Sequence, residues 1–527
     1  MHPFARLAAS VRYAPLSGQG EPFMPSRRLS TALAVAILLA SPSAGMAQDR
    51  ADFPAAMDAF ARRALQRTEA VPGMAVAVVD RDGAVLKAGY GVADVETGAP
   101  VTTGTRFYIA SATKSFTALA ITAMAERGQV DPDAPLSRWS PTSGVSSEIA
   151  NRITLTDLLS HRSGVDNGAI AFRAAFSGDW TPETMWRLTD QTRPREGGAY
   201  GAFAYSNAGY NLATVLLEHE QGRDWRALVR DEVLEPLGMA RTTAFINEAR
   251  ADGGVVAAGH LGLIAGHPER SPLQKVDATM QSAGGLISTA DDMAIWLEAQ
   301  INDGRVAGRQ ALPAGLIAST HAPRVAQDTT FGDYVRTGYG LGWQVGRYRD
   351  DVLIHHFGNF SGSRAHVSFM PERGLGVAVM VNEDAVAGEL ADLVANYAYD
   401  WFARLPDIEA VYDAKLEELA VRGDRRRAGL AAGREARAQR PRTLSLTDAA
   451  YVGDYVSPAY GTMTVRAADG RLVLSIGVQS AVAENYTDPE SLRVELTPLA
   501  GEVVVFTIGD DGRPISLTYD GESFVRR

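Results

Sequence analysis

The sequence predicts an α+β fold that is followed by a small all-β domain. Three observations support this prediction: a β-hairpin pattern soon after residue 70, a second hairpin pattern at 364–382, and a series of short strands after residue 443. The segments between the two hairpins are mostly helical in pattern. We therefore expect one sheet that both ends of the first domain build together, and not a series of βαβ repeats.

Residues 1–47 match the pattern of a secretory signal peptide. An arginine pair precedes an apolar run at 31–40, and two small residues separated by one residue follow. The run has about half of the roughly 20 residues that a membrane-spanning helix needs. We expect cleavage near Gln48, with Met24 as an alternative start, a periplasmic or secreted mature protein, and no integral membrane anchor.

The first domain, at 48–405, begins with two short β-rich runs around an Asp-Gly turn. A helix predicted over 111–127 is apolar on nearly all sides, which is typical of a buried helix, and a glycine follows it as a stop signal. The hairpin at 364–382 turns at a Pro-Glu-Arg-Gly segment, and the pattern of 384–405 predicts an amphipathic helix. These elements complete the predicted α+β domain.

The remainder of the chain divides into two parts. Residues 406–442 are rich in Arg, Ala, Glu and Gly and contain few apolar residues, which predicts a solvated helical linker. The three successive arginines at 425–427 are more typical of an exposed helix face than of an anion-binding patch. Residues 443–527 contain short alternating or apolar runs between Gly and Asp turns, which predicts a small all-β barrel or sandwich.

The amino-acid composition restricts the partners, nucleophiles and bases that this chain can have. The chain has 527 residues, of which 46% are hydrophobic and 21% are charged, as in ordinary folded proteins. Its formal net charge of −11 leaves no basic surplus for a nucleic-acid backbone, so we expect no nucleic-acid partner. The sequence has no cysteine, which excludes disulfides, thiolate nucleophiles and cysteine-ligated metals. A nucleophile must be an oxygen or an amine, and only four lysines can supply an amine base.

Ser111 and Lys114 lie one helical turn apart at the start of the predicted buried helix. Residues i and i+3 share a helix face, so the lysine amine can reach the serine hydroxyl. The helix N-terminus offers unpaired N–H groups to an oxyanion, and burial disfavours an ammonium ion, so Lys114 can act as a base. The alternative is structural: Ser111 caps the helix and Lys114 extends to the surface.

Two later segments carry side chains that suit the same chemistry. In Tyr205-Ser-Asn207 the phenol can relay a proton and the amide can orient a lysine or hold a substrate carbonyl, although a core-capping loop tyrosine has the same pattern. His356-Phe-Gly358 lies on a predicted strand whose edge can offer a backbone N–H to an oxyanion; a buried core histidine is the alternative. The sequence has no His-Glu-x-x-His or comparable ligand cluster, so we expect neither a metal nor another cofactor.

These three motifs, Ser-x-x-Lys, Tyr-x-Asn and His-x-Gly in this order, resemble those of the serine β-lactamase and penicillin-binding superfamily. The resemblance covers about residues 55–405 and is closest to the class C-like branch, which includes family VIII esterases and D-aminopeptidase-type serine peptidases. It implies an antiparallel sheet flanked by helices, an all-helical subdomain and an acyl-enzyme mechanism. The all-β region similarly resembles the accessory domains of some of these enzymes.

The resemblance also implies a role for each motif residue. Ser111 would be the nucleophile, Lys114 the base and Tyr205 the proton shuttle. Asn207 would position the substrate. The oxyanion hole would use the backbone N–H groups of Ser111 and of Asn359, the residue after the His-x-Gly motif.

Two segments carry implications of their own: the one around His161 and the His-x-Gly motif itself. His161 and its neighbours Ser163 and Gly164 match a segment that we interpret as structural, without a catalytic role. β-Lactamases of this group carry Lys-Thr-Gly where this chain has a histidine motif, so a fixed ammonium is replaced by a titratable imidazole, His356. The bulky Phe357 in the same motif argues against efficient penicillin hydrolysis.

The leading hypothesis is a secreted serine hydrolase that acts on small-molecule esters, amides or D-peptides through an acyl-Ser111 intermediate. A β-lactamase or a D,D-peptidase of the same fold is one alternative. A periplasmic receptor that binds peptide or cell-wall fragments without turnover is another, since a fold alone does not prove activity. The sequence leaves the oligomeric state and the role of the all-β domain open.

Overall fold

The apolar strands at the two ends of the first domain pair with each other in a nine-stranded antiparallel sheet. The structure is a computed structural model, and it describes residues 42–263, 267–384 and 386–527. Val76 near the start of the domain lies opposite Val379 near its end, which confirms the predicted single sheet. In order across the sheet, the strands are Val325–Phe331, Tyr334–Tyr339, Gln344–Tyr348, Asp351–Phe360, Ser363–Met370, Leu375–Val381, Gly73–Asp80, Gly83–Asp94 and Ala99–Pro100.

Helices cover both faces of this sheet because its central strands are apolar on both sides. Val76 and Ala77 illustrate the alternation, since each belongs to the hydrophobic cluster of a different face. One face packs against the helices Pro42–Thr68 and Ala387–Phe402. The other face packs against Ala290–Ile301, and beyond it lies the helix Thr113–Glu126, whose Phe116 ring stacks on the Trp296 ring at 3.7 Å. The helices predicted over 111–127 and 384–405 are thus confirmed, with slightly shorter bounds.

The N-terminal helix begins at Pro42, so the predicted mature N-terminus at Gln48 falls within it. The apolar run at 31–40, which is the core of the predicted signal peptide, lies outside the described residues. Within the described ranges, the structure contains no helix with the length and apolar character needed to cross a membrane.

The segment between the Ser111 helix and the last sheet strands forms the predicted all-helical subdomain and several short connections. Its α-helices are Leu136–Trp139, Ser147–Ala150, Leu155–Leu159, Gly168–Phe172, Pro182–Arg187, Asn207–Gln221, Trp225–Val229, Glu235–Leu237, Ile246–Ala251 and Leu316–His321. Shorter turns are the 3-10 turns Ala110–Ala112, Leu188–Gln191 and Asp277–Thr279 and the π turns Arg173–Ser177 and Arg230–Leu234. Two-residue ribbons pair Phe107–Tyr108 with Ile287–Ser288, Val165–Asp166 with Arg193–Pro194, His260–Leu261 with Glu269–Arg270, and Arg305–Val306 with Arg309–Gln310.

The predicted linker is a helix, Ile408–Ala438, but its first half is not solvated. Tyr412, Leu416 and Leu419 are fully or almost fully buried against the first helical layer of the sheet. These three positions recur at helical spacing and form one narrow apolar stripe. The low apolar content of the whole segment conceals that stripe, which explains why the prediction of a solvated linker was wrong for this half.

The C-terminal domain is a nearly closed barrel, which decides between the predicted barrel and sandwich. A short helix, Asp448–Tyr451, precedes it. Near the closure, the Gln479 side chain donates a hydrogen bond to the Leu496 carbonyl oxygen at 3.2 Å. In sheet order the strands are Gln479–Val482, Arg471–Ile476, Gly461–Ala468, Gly453–Ser457, Glu522–Arg526, Pro514–Tyr519, Ala500–Ile508, Ser491–Thr497 and Glu484–Asn485.

Candidate active site

Ser111 stands on a strained turn between a short strand and a long helix. The strand Phe107–Tyr108 leads into the 3-10 turn Ala110–Ala112, and the helix Thr113–Glu126 follows directly. Ala110, the residue before the serine, has a φ of +45°, a conformation that costs an alanine about 1–3 kcal/mol. The serine itself is only half-buried, so a ligand can approach its hydroxyl.

Two glycines leave room for this turn. A Cβ on Gly358 would lie 2.0 Å from the carbonyl oxygen of Ile109, and a Cβ on Gly284 would lie 3.3 Å from the carbonyl carbon of Ala110. The first contact is with backbone and is far inside van der Waals distance, so a side chain at position 358 would displace the serine turn. Packing thus explains the glycine of the His-x-Gly motif and joins that motif to the serine.

The Lys114 amine lies at the centre of the site. Its Nζ is 3.1 Å from the Ser111 Oγ, 2.7 Å from the Asn207 Oδ1 and 2.7 Å from the Ala283 carbonyl oxygen. The side chain is fully buried, and burial lowers the pKa of Lys114 well below its ordinary value. A neutral amine can donate to the two oxygen acceptors of Asn207 and Ala283 and keep its lone pair for the serine proton.

The Tyr205 ring covers this amine from the other side. Its centroid is 4.8 Å from the Lys114 Nζ, and its hydroxyl hydrogen-bonds to Ser111. Burial raises the pKa of Tyr205 despite this hydrogen bond, so the phenol holds its proton at neutral pH. The arrangement gives the serine two proton partners, one amine and one phenol.

The segment that carries Tyr205 and Asn207 is fixed by groups outside the motif. The His161 Nδ1 accepts a hydrogen bond from the Ser206 N–H at 3.1 Å, and the His161 ring lies 4.4 Å from the Tyr205 ring. Arg195 donates to the Tyr205 carbonyl oxygen at 2.8 Å. Ser206 in turn caps the helix that starts at Asn207. In the described structure, the hydrogen bond and ring contact of His161 position the Tyr205–Asn207 segment and do not reach the Ser111 hydroxyl itself.

The His356 imidazole, the predicted substrate-binding group, hydrogen-bonds within the protein through both ring nitrogens. Its Nδ1 lies 3.0 Å from the Phe357 carbonyl oxygen and its Nε2 lies 3.2 Å from the Tyr339 hydroxyl. Both ring nitrogens are therefore engaged within the protein. Burial, with a smaller contribution from the nearby Lys114, lowers the pKa of His356 well below its ordinary value. The ring is neutral and lies on the same face of the strand as Gly358, with its centroid 6.1 Å from that of Tyr205.

Phe357 points away from the serine because side chains alternate along a strand. Its ring centroid lies 4.6 Å from that of His355 and 4.5 Å from that of His366, on the opposite face of the sheet from Gly358. Its bulk therefore does not obstruct the cleft, and the sequence argument from Phe357 against penicillin hydrolysis loses its basis. Asn359 follows on the exposed end of the same strand.

Sequence analysis missed several groups that complete the site: the carbonyl of Ala283, the hydroxyl of Tyr339 and the hydrogen bond of His161. The partners of these groups lie more than 15 residues away in the chain, so no local signal indicates the contacts. In the described part of the chain, no group of three or more His, Asp or Glu side chains is arranged to hold a metal ion.

Comparisons with known proteins identify the family and the fold. The profile of the β-lactamase family matches residues 58–399. An unguisins hydrolase from Aspergillus campestris is 27% identical over 484 residues, which cover 84% of this chain and 85% of that protein. The octameric penicillin-binding protein homologue from Pyrococcus abyssi has a TM-score of 0.54 at 21% identity, covering 90% of this chain and 99% of its own. The D-amino acid amidase from Ochrobactrum anthropi SV3 has a TM-score of 0.53 at 23% identity, covering 68% and 99%.

Proposed function

We propose that this chain, which belongs to the β-lactamase family, is a serine hydrolase that opens ester or amide bonds through an acyl intermediate on Ser111. The observation that carries the proposal is the position of the buried Lys114 amine, 3.1 Å from the serine hydroxyl. No carboxylate is among its hydrogen-bond partners in the described structure, so the ammonium form has no counter-ion in direct contact there. Because burial lowers the pKa of Lys114, the amine is largely unprotonated near neutral pH and its lone pair is free to take the serine proton.

In the acylation step the Ser111 Oγ attacks the substrate carbonyl carbon while its proton moves to the Lys114 Nζ. The carbonyl oxygen becomes an oxyanion, and we assign its stabilisation to the backbone N–H groups of Ser111 and Asn359. The intermediate collapses as the bond from carbon to the leaving nitrogen or oxygen breaks. Tyr205 gives its proton to the leaving group and regains one from Lys114, so the charges balance.

Deacylation reverses these proton movements with water in place of the leaving group. A water proton moves through Tyr205 or Lys114 as the water oxygen bonds to the acyl carbon, and the Ser111 Oγ leaves with a proton. Asn207, whose Oδ1 lies 2.7 Å from the lysine Nζ, keeps the amine aligned through both steps. Acyl transfer thus needs no group beyond those at the site.

The names of two relatives support amides as substrates, in addition to the esters already proposed. One is named a hydrolase of unguisins and another an amidase of D-amino acids, and both names describe hydrolytic reactions. We therefore propose small amides and D-peptides alongside esters as the substrate class. Since the Phe357 ring lies outside the cleft, β-lactam hydrolysis remains an alternative activity of this site.

We further propose that the protein is exported to the periplasm or secreted. Support comes from the arginine pair and apolar run within residues 1–47. N-terminal sequencing of protein recovered from the periplasmic or culture fraction would be expected to begin near Gln48. A full-length chain retained in the cytosolic fraction would contradict export.

The test is a set of parallel assays with a short-chain aryl ester, a D-alanyl p-nitroanilide and a chromogenic cephalosporin. At least one should be hydrolysed by the wild type, and Ser111→Ala should lower its kcat by roughly 10⁴-fold or more, because the nucleophile is lost. Mass spectrometry should detect an acyl adduct on Ser111 and none on the variant. Turnover that survives Ser111→Ala would contradict the proposal, and an adduct that is never released would favour the receptor.

A further inference from the structure

The strand that carries the His-x-Gly motif extends beyond its neighbour and leaves one edge for a substrate. The adjacent strand, Gln344–Tyr348, pairs only as far as His355, so in the described structure the following residues of Asp351–Phe360 have a strand partner on one side only. The Tyr205 ring lies 6.1 Å from the His356 ring, near the beginning of this free stretch. Since Tyr205 protonates the leaving group, the acyl part of the substrate extends toward the other end, at Phe360.

Phe360 faces the serine side of the sheet. It lies two residues after Gly358, and residues two apart on a strand share a face. Its ring contacts that of Tyr108 at 5.7 Å, and Tyr108 is three residues before Ser111. The Phe360 ring is half-buried, and the half-buried ring of Phe176 lies 5.7 Å from it. Phe360 and Phe176 are therefore adjacent, partly exposed rings, and the strand that carries Phe360 packs against the Ala110–Ala112 turn that carries the nucleophile.

Lys275 contacts both the turn that carries Phe176 and the ring of Phe360. Its side chain is almost fully buried, and its Nζ donates to the Ala175 carbonyl oxygen at 2.6 Å and to the Thr279 carbonyl oxygen at 3.1 Å. The same nitrogen lies 3.7 Å from the centroid of the Phe360 ring. The amine therefore ties the turn that carries Phe176 to Phe360, and it is not free to act on a substrate.

The C-terminal barrel is attached to the same turn. Arg173, which is 6% exposed, donates to the carbonyl oxygens of Ala459 at 2.6 Å and Pro458 at 3.1 Å in the barrel. The Val478 N–H of the barrel donates to the Ser177 carbonyl oxygen at 2.9 Å. A buried guanidinium that donates to two carbonyls resists displacement, because its loss would leave buried polar groups unpaired.

We propose that Phe176 and Phe360 form an apolar subsite for the aromatic or branched acyl group of the substrate, and that the barrel fixes this subsite through Arg173. The proposal rests on the proposed function, since it assigns the acyl side of the same Ser111 site. It gives the barrel a defined role: it positions one wall of the cleft. Phe176 and Phe360 are specificity residues, and Arg173 and Lys275 are positioning residues.

The experiment compares p-nitrophenyl phenylacetate with p-nitrophenyl acetate, or the D-phenylalanyl with the D-alanyl p-nitroanilide, whichever pair the wild type hydrolyses. The readout is the ratio of kcat/KM for the larger over the smaller acyl group. Apolar pocket contacts of this size discriminate by roughly 10–200-fold, so Phe360→Ala should lower the ratio about tenfold or more and Phe360→Leu should restore most of it. Phe402→Ala, a half-buried ring in the opposite helical layer, serves as the matched control.

The barrel contribution is tested with Arg173→Met in the full-length protein. We expect a smaller fall of the same ratio, about threefold to tenfold, chiefly through KM for the larger substrate. Arg437→Met is the control, because it removes a different barrel contact, the 2.8 Å bond from Nε to the Glu484 carboxylate. Equal losses for both acyl groups, or equal effects of Arg173→Met and Arg437→Met, would overturn the proposal.

These outcomes are separate from a failure of the proposed function. If wild-type turnover survives Ser111→Ala, the site assignment fails and the ratio carries no information about acyl recognition at Ser111. If turnover depends on Ser111 but the ratio does not change in Phe360→Ala, only the subsite is wrong. Circular dichroism melting of each variant identifies any that fail to fold, and Phe360→Leu then supplies the answer for that position.

Discussion

Lys114 and Lys275 are both buried lysines, but of their hydrogen bonds in the described structure only one, from Lys114, joins the amine to a serine hydroxyl. Burial lowers the pKa of each well below the ordinary lysine value. The Lys114 amine contacts Ser111, an amide oxygen and one carbonyl oxygen, whereas the Lys275 amine contacts two carbonyl oxygens and an aromatic ring. Desolvation alone therefore does not create a catalytic base. The base needs a proton donor within hydrogen-bond distance that can also attack the substrate.

The sharpest test of this comparison replaces each lysine by methionine. Lys114→Met should lower kcat by roughly 10³–10⁴-fold, because the serine loses its general base. Lys275→Met should lower turnover of the acetyl substrate by no more than about tenfold, since its contacts position a wall and not the nucleophile. Steady-state kinetics with the same ester or anilide check both values. Comparable losses in the two variants would show that position relative to Ser111 does not distinguish the lysines.

A second prediction concerns the pH at which Lys114 becomes a base. The low pKa of Lys114 places the acidic limb of kcat/KM well below the ordinary titration range of lysine, with activity rising as pH increases through it. Asn207→Asp places a carboxylate 2.7 Å from Nζ, which favours the ammonium form and raises that pKa. The limb should move upward by about one pH unit or more, and activity should recover at higher pH.

The control for this shift is Asn396→Asp, a buried asparagine that contacts Tyr334 in the opposite helical layer. A pH–rate profile that moves equally in both variants would indicate general destabilisation. A profile of Asn207→Asp that keeps the wild-type limb would show that Lys114 is not the titrating base.

The smallest predicted effect is on stability. A buried lysine whose folded-state pKa is lowered binds fewer protons in the folded than in the unfolded chain. The free energy of unfolding therefore rises with pH between the lowered pKa and the ordinary value near 10.4, by up to about 1.4 kcal/mol per pH unit for each such group. Urea titrations at several pH values should show a smaller slope for Lys275→Met than for the wild type. Lys415→Met, which removes a partly exposed lysine paired with Asp333, is the matched control for the loss of a lysine side chain.

Much of this arrangement was predictable from the sequence. The spacing of Ser111 and Lys114 predicted one shared helix face, and the structure places their reactive atoms 3.1 Å apart. The two hairpins predicted the sheet that joins both ends of the domain, and the turn-rich C-terminal segment predicted the all-β domain. Each of these predictions rests on residues close together in the chain, where periodicity and turn chemistry act directly.

The remaining features depend on contacts between distant segments. The hydrogen bond between His356 and Tyr339 joins residues 17 positions apart, and the substrate-binding role of His356 stays a prediction. The contact between Lys275 and Ala175, which lies 100 residues earlier, likewise has no local signal in the sequence. The packed half of the Ile408–Ala438 helix was similarly hidden in a segment of low apolar content.

The sequence by itself determined the order of the elements, the absence of thiol chemistry and the identity of the only lysine that lies one turn from a serine at the start of a predicted buried helix. The tertiary structure alone decided which buried amine lies beside a nucleophile, which histidine is neutral and engaged, and where the barrel contacts the cleft. The physical reason is the distance along the chain over which each kind of interaction acts. Backbone propensity and side-chain periodicity act over a few residues, whereas desolvation and hydrogen-bond pairing depend on neighbours that only the folded chain brings together.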